Sequence, residues 1–185
     1  RARSAYPLRQ ANLEAIRPDV REVSPGLVYE DDDVKVYCDF VDHIPHDISE
    51  CFGIRMEAEG RVIAFSGDTA PCENMVTLAK DADVLFHECT FPEAFVEHRR
   101  KSGVGTFAHT PPSELGKIAK RAGVKSLVAT HFGHFESTNP VILKAARHHL
   151  PVDLMGPDMM NDVVRDIRLN YDGPLRMAYD LMRVE

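Results

Sequence analysis

The sequence predicts a mixed α/β domain in which an antiparallel sheet leads into an alternation of strands and helices. Three observations carry this. Short alternating runs of apolar and polar residues, LVYE, VKVYCDFV, CFGIRMEA and RVIAFSG, follow one another between Leu27 and Gly67, as half-buried strands require. At Asp68 the apolar period lengthens from two to the three-to-four spacing of a helix. Two apolar strands end on residue types able to ligate a metal, RVIAFSG running into Asp68 and SLVAT into His131, where α/β sheets place their clefts.

From Arg1 to about Ser24 the pattern is irregular and charged, broken by Pro7 and Pro18, with ANLEAIR as one short helical stretch. It reads as an incoming connection. After Pro25-Gly26, LVYE and VKVYCDFV form a hairpin across Asp31-Asp32-Asp33, and CFGIRMEA and RVIAFSG form a second across Glu59-Gly60. Between Glu73 and Lys80 a helix begins that places Met75, Leu78, Ala79 and Ala82 on one face, and DVLFHECT returns as a strand. The span Pro92 to Ala108, with His98-Arg99-Arg100-Lys101, is poorly patterned and fits a long loop or a partial helix. Thr110 is the expected N-cap of the next helix, with Pro111 in its first turn, a stripe of Leu115, Ile118, Ala119 and Ala122, and Gly123 as its stop. The strand VKSLVAT follows. Pro140 opens a helix, VILKAARHH, that Pro151 ends; NDVVRDIRLNY is the last helix and PLRMAYDLMRV a closing strand. With no repeat, low-complexity stretch or linker, residues 1–185 read as one domain.

The chain of 185 residues is 44% hydrophobic and 28% charged, enough to bury a core. A net charge of -7 and a pI near 5.7 disfavour generic binding to nucleic acid or anionic membranes, while leaving room for a local phosphate patch. Cys38, Cys51, Cys72 and Cys89 form no CxxC pair and lie in or beside apolar runs, so they are expected to be reduced and the protein cytoplasmic. No apolar run approaches the roughly 18 to 20 residues of a spanning helix. Beginning at Arg1 rather than methionine, the sequence reads as a fragment, a processed product or the ordered portion of a longer chain.

Several residue types here serve structure as readily as chemistry. An aspartate after a strand and glycine is often a turn former or helix cap, and His109 has the alternative of a surface residue beside a helix start. His87-Glu88 suits either a site edge or a hydrogen bond between strand and loop. His46, His134, His148 and His149 fit solvated positions, Met155, Met159 and Met160 fit core filling, and Arg99-Arg100-Lys101 fits a solvated run.

Three stretches, SGDTAPCENMVTLAKDADVLFHECTF, HTPPSELGKIAKRAGVKSLVATHF and DGPLRMAYDLM, together resemble the carboxyl-terminal half of the metallo-β-lactamase superfamily, nearest its ribonuclease Z and arylsulfatase-like branch. The resemblance runs from about Val23 onward and rests on ordered motifs: strand-GDT, strand-HE-x-T-F, a helix opened by HT, and strand-TH. It implies a four-layer αββα sandwich, of which this chain supplies about half, with two divalent metal ions at one edge: zinc, with manganese or iron as alternatives. By the same resemblance Asp68 bridges the metals, His131 completes the second metal's shell, His109 is catalytic or touches substrate, and His43 lies near the site as a substrate contact. Arg99 and Arg100 are candidates to anchor a phosphate or sulfate.

The family's HxHxDH motif is absent from this chain. Asp68 and His131 alone fall short of the three or four protein ligands usual for zinc, so the resemblance implies that an amino-terminal half is a necessary partner and that the isolated chain is inactive. The implied reaction is attack by a metal-activated hydroxide on a phosphodiester, sulfate ester or related small ester. Nucleic acid remains open as a substrate but is not favoured by the acidity, and a homo-oligomer is expected. The competing reading is a non-catalytic lobe that binds no metal without its other half.

Overall fold

A computed structural model describes residues 20–101, 108–133, 135–146 and 155–184. The expected helix in ANLEAIR, the carboxyl end of VILKAARHH with Pro151, and His134, His148 and His149 lie outside the described residues.

Among the described residues, seven strands form one sheet whose spatial order is the chain order. β1 (Gly26–Glu30), β2 (Val34–Phe40), β3 (Phe52–Ala58) and β4 (Arg61–Phe65) pair antiparallel. The first turn is closed by the Asp31 carboxylate, which accepts from the backbone N–H groups of Asp33 at 2.9 Å and Val34 at 2.8 Å. The second has two residues, Glu59 at φ 52° and Gly60 at φ 71°; positive φ at both positions matches the twist of the flanking strands.

Beyond β4 the sheet is parallel: β5 (Val84–Glu88) pairs with β4, β6 (Leu127–Thr130) with β5, and β7 (Leu175–Met177) with β6. The crossovers carry α1 (Glu73–Leu78), then α2 (Glu93–Lys101) and α3 (Pro112–Ala122), then α4 (Pro140–Ala146) and α5 (Met159–Arg168). The chain is therefore a mixed α/β fold, with the change from antiparallel to parallel pairing at the point where the apolar period changes.

Two expectations are corrected. Thr110 is not the N-cap of α3. Pro112 takes the first helical position and forces Pro111 before it into an extended conformation, φ -75° and ψ 159°, so the helix starts one residue later. Thr110 instead is fully buried and its hydroxyl donates to the Thr69 carbonyl at 2.7 Å. Of the two readings offered for the span Pro92 to Ala108, the partial helix is the one found, over Glu93–Lys101. The closing strand is cut to three residues, because the chain turns at Tyr179, with Leu181 at φ 64° and the Met182 N–H returning to the Tyr179 carbonyl.

One sheet face is covered by α1, α3 and α5. Ala64, Leu85, Leu127 and Ala129 from the strands pack there with Met75, Leu78, Leu115, Ile118, Val163 and Ile167. Gly116 permits this closeness: a Cβ there would lie 2.4 Å from the Ile167 carbonyl oxygen. A second cluster joins Phe95, Phe135 and Met159, with Phe91 and Met155 against it, so those two methionines fill a core.

The opposite face is apolar along two cross-strand rows. Register places Val36, Met56, Ile63 and Val84 in one, and Cys38, Ile54, Phe65, Phe86 and Val128 in the other. Phe65 and Phe86 stack at 5.0 Å, yet Phe65 remains 38% exposed and Ile54 40%. No helix among the described residues is long and apolar enough to cross a membrane.

Candidate metal centre

Because β2 runs antiparallel to β3 and β3 to β4, the carboxyl ends of β2, β4, β5 and β6 lie at one edge. His43 follows β2, Asp68 follows β4, Glu88 ends β5 and His131 follows β6; His109 reaches the same edge just ahead of α3. The sheet topology thus gathers side chains that are far apart in sequence.

Asp68 is held from both sides. Gly67 precedes it at φ 60°, a left-handed turn that lifts the chain off β4. Thr69 follows it fully buried, its N–H donating to Glu88 Oε1 at 3.1 Å and its hydroxyl accepting from the Asp42 N–H at 3.1 Å. The half-exposed carboxylate between them offers its two oxygens to different imidazoles: Oδ1 lies 3.4 Å from His131 Nδ1 and Oδ2 lies 3.9 Å from His43 Nε2. His131 itself sits at φ 63°, a left-handed conformation that costs a non-glycine residue free energy and concentrates at functional sites. The His43 Nδ1–H donates to the Ala108 carbonyl at 2.9 Å, leaving its Nε2 on the Asp68 side.

Glu88 is the hub. It is 2% exposed and its carboxylate accepts from five donors: His109 Nδ1 at 2.7 Å, the N–H groups of Thr69 and Thr110 at 3.1 and 3.3 Å, and the N–H and hydroxyl of Thr90 at 3.0 and 2.8 Å. Burial alone would raise the Glu88 carboxyl, but the bond from His109, its positive charge and the remaining donors outweigh burial and hold the pKa below the ordinary value. The bond to Glu88 raises the His109 pKa; burial opposes this, Glu88 and Asp68 add to it through their charges, and Arg99 weakens it. His87, by contrast, faces the helix layer: it is fully buried, donates from Nδ1 to the Glu88 carbonyl at 2.8 Å, and burial lowers its pKa. Of the HE pair only Glu88 belongs to the site.

The remaining candidates separate clearly. The Arg99 guanidinium lies 4.3 Å from the centre of the Phe91 ring, which makes a T-shaped contact with the His109 ring at 5.5 Å between centroids, so Arg99 is separated from His109 by one aromatic layer. Arg100 is exposed on α2. His46 packs edge-on against Phe40 instead of joining the cluster. Thr90, which no sequence signal singled out beyond the HE-x-T-F spacing, contacts Glu88, His109 and His131.

Among the described residues, two groups of possible ligand atoms each lie within 4.8 Å of one another: His43, Asp68 and His109, and Glu88, His109 and His131. Glu88 is saturated with protein donors and His109 Nδ1 is committed to it, so the atoms left to face an ion are the Asp68 oxygens and imidazole nitrogens. Carboxylate oxygen with imidazole nitrogen is a donor set that suits zinc, iron or manganese, and the residues fit such a group.

Residues 14–132 match the family model of the beta-lactamase superfamily domain. The chain belongs to the beta-lactamase superfamily. Among its relatives, Ribonuclease Z of Methanothermobacter thermautotrophicus is 36% identical over 107 residues, covering 58% of this chain and 33% of that protein. Ribonuclease Z of Pseudomonas putida strain KT2440 is 35% identical over 131 residues, 70% of this chain and 35% of that one. This superfamily chain thus spans about a third of the length of the curated relatives it matches. In fold it is similar to the crystal structure of the metallo-beta-lactamase fold protein YhfI from Bacillus subtilis, with a TM-score of 0.60 and 18% identity over 84% of this chain and 51% of that one.

Proposed function

We propose that this chain forms the carboxyl-terminal half of a metal-dependent phosphodiesterase acting on RNA. The observation that carries the reading is Asp68, whose two oxygens face two different imidazoles at the sheet edge, beside a His109 held by a buried carboxylate. Relatives named Ribonuclease Z support a phosphodiester in RNA over a sulfate ester or another small ester. The acidity of the chain then means that the polyanion is held locally, with Arg99 and the exposed Arg100 as the nearest basic candidates.

Asp68, His131 and His43 would hold divalent metal. Bound there, it would supply Lewis acidity toward the phosphoryl oxygens and acidify a water. The protein's own steps are positional and protonic. His109 keeps its Nδ1 proton against Glu88 Oε1, which leaves Nε2 to face the site. The raised pKa favours a ring that holds a proton on Nε2 as well, so that proton is available to the departing oxygen, and the ring recovers one from solvent before the next turnover. Glu88 holds the ring in register and stabilises its charge.

The apolar rows of the sheet through Ile54, Phe65 and Phe86 support the second sheet of an αββα sandwich as the partner that completes the domain and its ligand set. The test uses the complete domain and an RNA substrate. Replacing His109 with Ala is expected to lower turnover by roughly 10²- to 10⁴-fold with metal content unchanged. Loss of metal in that variant would make His109 a ligand, and unchanged turnover would remove it from the reaction.

A further inference from the structure

Thr90 lies where three polar side chains converge, and its hydrogen-bonding capacity is limited. A threonine hydroxyl has one proton to give and two lone pairs to accept with. Its Oγ1 is 2.8 Å from Glu88 Oε2, 2.7 Å from His131 Nδ1 and 3.2 Å from His109 Nδ1. The ionised Glu88 carboxylate accepts only, so the single hydroxyl proton goes to it in a charge-assisted bond. At the 2.7 Å contact the imidazole must then be the donor, with the proton on His131 Nδ1. The His109 contact is different: that ring's Nδ1 proton is already directed at Glu88 Oε1, 2.7 Å away, and the longer 3.2 Å approach to Thr90 is secondary.

We propose that Thr90 is a positioning residue that fixes His131 as the Nδ1–H tautomer, relaying the buried Glu88 carboxylate to a ligand Glu88 does not touch. Glu88 then orders both imidazoles, His109 directly and His131 through one hydroxyl. Asp68 Oδ1 approaches the same Nδ1 only to 3.4 Å, against 2.7 Å for the Thr90 hydroxyl, so the hydroxyl is the closer acceptor of its proton; with Nδ1 protonated, the free lone pair of His131 is on Nε2, the atom that remains to bind an ion. Metal-binding histidines commonly donate their other ring proton to a carboxylate or carbonyl; here the acceptor is a hydroxyl that a carboxylate has polarised. The consequence for metal affinity rests on the metal-centre reading above, whereas the tautomer does not.

The tautomer can be read without metal or substrate. In the chain with ¹⁵N-labelled histidine, freed of metal and held at alkaline pH where imidazoles are neutral, long-range ¹H–¹⁵N correlation distinguishes the protonated ring nitrogen from the bare one. His131 is expected to show a proton on Nδ1, and Thr90→Val is expected to shift it toward Nε2–H. His109 and His43, held by Glu88 and by the Ala108 carbonyl, stay as Nδ1–H and report that the site is folded. Thr90→Ser keeps the hydroxyl and is expected to restore the parent pattern. In the complete enzyme, Thr90→Val is expected to weaken zinc binding about 10- to 100-fold and Thr90→Ser to leave it near the parent value. A parent His131 found as Nε2–H, or a Thr90→Val protein whose His131 keeps the Nδ1 proton, overturns the proposal. A changed tautomer with unchanged zinc affinity overturns its metal consequence and counts against His131 as a ligand.

Discussion

Replacing Glu88 with Gln changes one atom in the most heavily used acceptor of the site, and its cost follows from the donors around it. The amide oxygen is best placed at the Oε1 position, where it still accepts from His109 Nδ1 and the N–H groups of Thr69 and Thr110. The new NH₂ then faces Thr90. The Thr90 hydroxyl can turn and accept, but its backbone N–H has lost its acceptor. One orphaned, partly buried donor costs about 1–3 kcal/mol, and the bonds that persist fall from charge-assisted to neutral strength. Together these predict a loss of roughly 2–4 kcal/mol, or a Tm lowered by some 5–15 °C in a domain of this size. Urea unfolding of metal-free protein checks it, with the midpoint lowered and the m-value unchanged. The freed Thr90 proton would also go to His131 Nδ1, so the same variant should move the His131 tautomer. A stability loss under about 0.5 kcal/mol would show that the five bonds to Glu88 do not hold the site together.

Three further outcomes follow from other parts of the molecule. Metal-free stability should peak near pH 6.5, the ordinary histidine pKa. Above it, the raised pKa of His109 means the folded state holds the extra proton and stability falls as pH rises through the folded value; below it, the lowered pKa of His87 means the unfolded state binds the proton and stability falls with pH. Denaturation midpoints across pH check this: His87→Leu should flatten the acid limb above pH 5 and Glu88→Gln the alkaline one. Gly116→Ala should destabilise by about 1–3 kcal/mol, because its methyl would press on the Ile167 carbonyl, whereas Gly156→Ala, with open space around it, should be near neutral in the same unfolding assay. Replacing both Ile54 and Phe65 with Lys should reduce self-association of the 185-residue chain, measured by sedimentation, and prevent its pairing with a separately made amino-terminal half.

Asp68 and His131 were legible because each ends an apolar strand, and a carboxylate or imidazole there has little to do in a core. The hairpins were legible from period and turn residues, although Glu59 at positive φ could not be anticipated from its type. Glu88 was visible only as half of an ambiguous pair. Its role depends on donors from Thr69, His109 and Thr110, which reach it through parallel pairing and crossovers that local sequence does not encode. Thr110 was misplaced for a local reason: two prolines in succession moved the helix start, and the hydroxyl expected to cap α3 ties the HT segment to the GDT turn instead. Thr90 gave no signal because a threonine after a strand is common, and only the convergence of three side chains on one hydroxyl gives it meaning.

The central claim is that Asp68 joins the metal centre of a hydrolase, and metal content tests it most directly. The complete domain, saturated with zinc and freed of excess, is expected to retain about two ions per assembly, and the Asp68→Ala protein, still folded, to lose metal together with hydrolysis of RNA. An Asp68→Ala protein that keeps its full metal complement and its turnover would contradict the account.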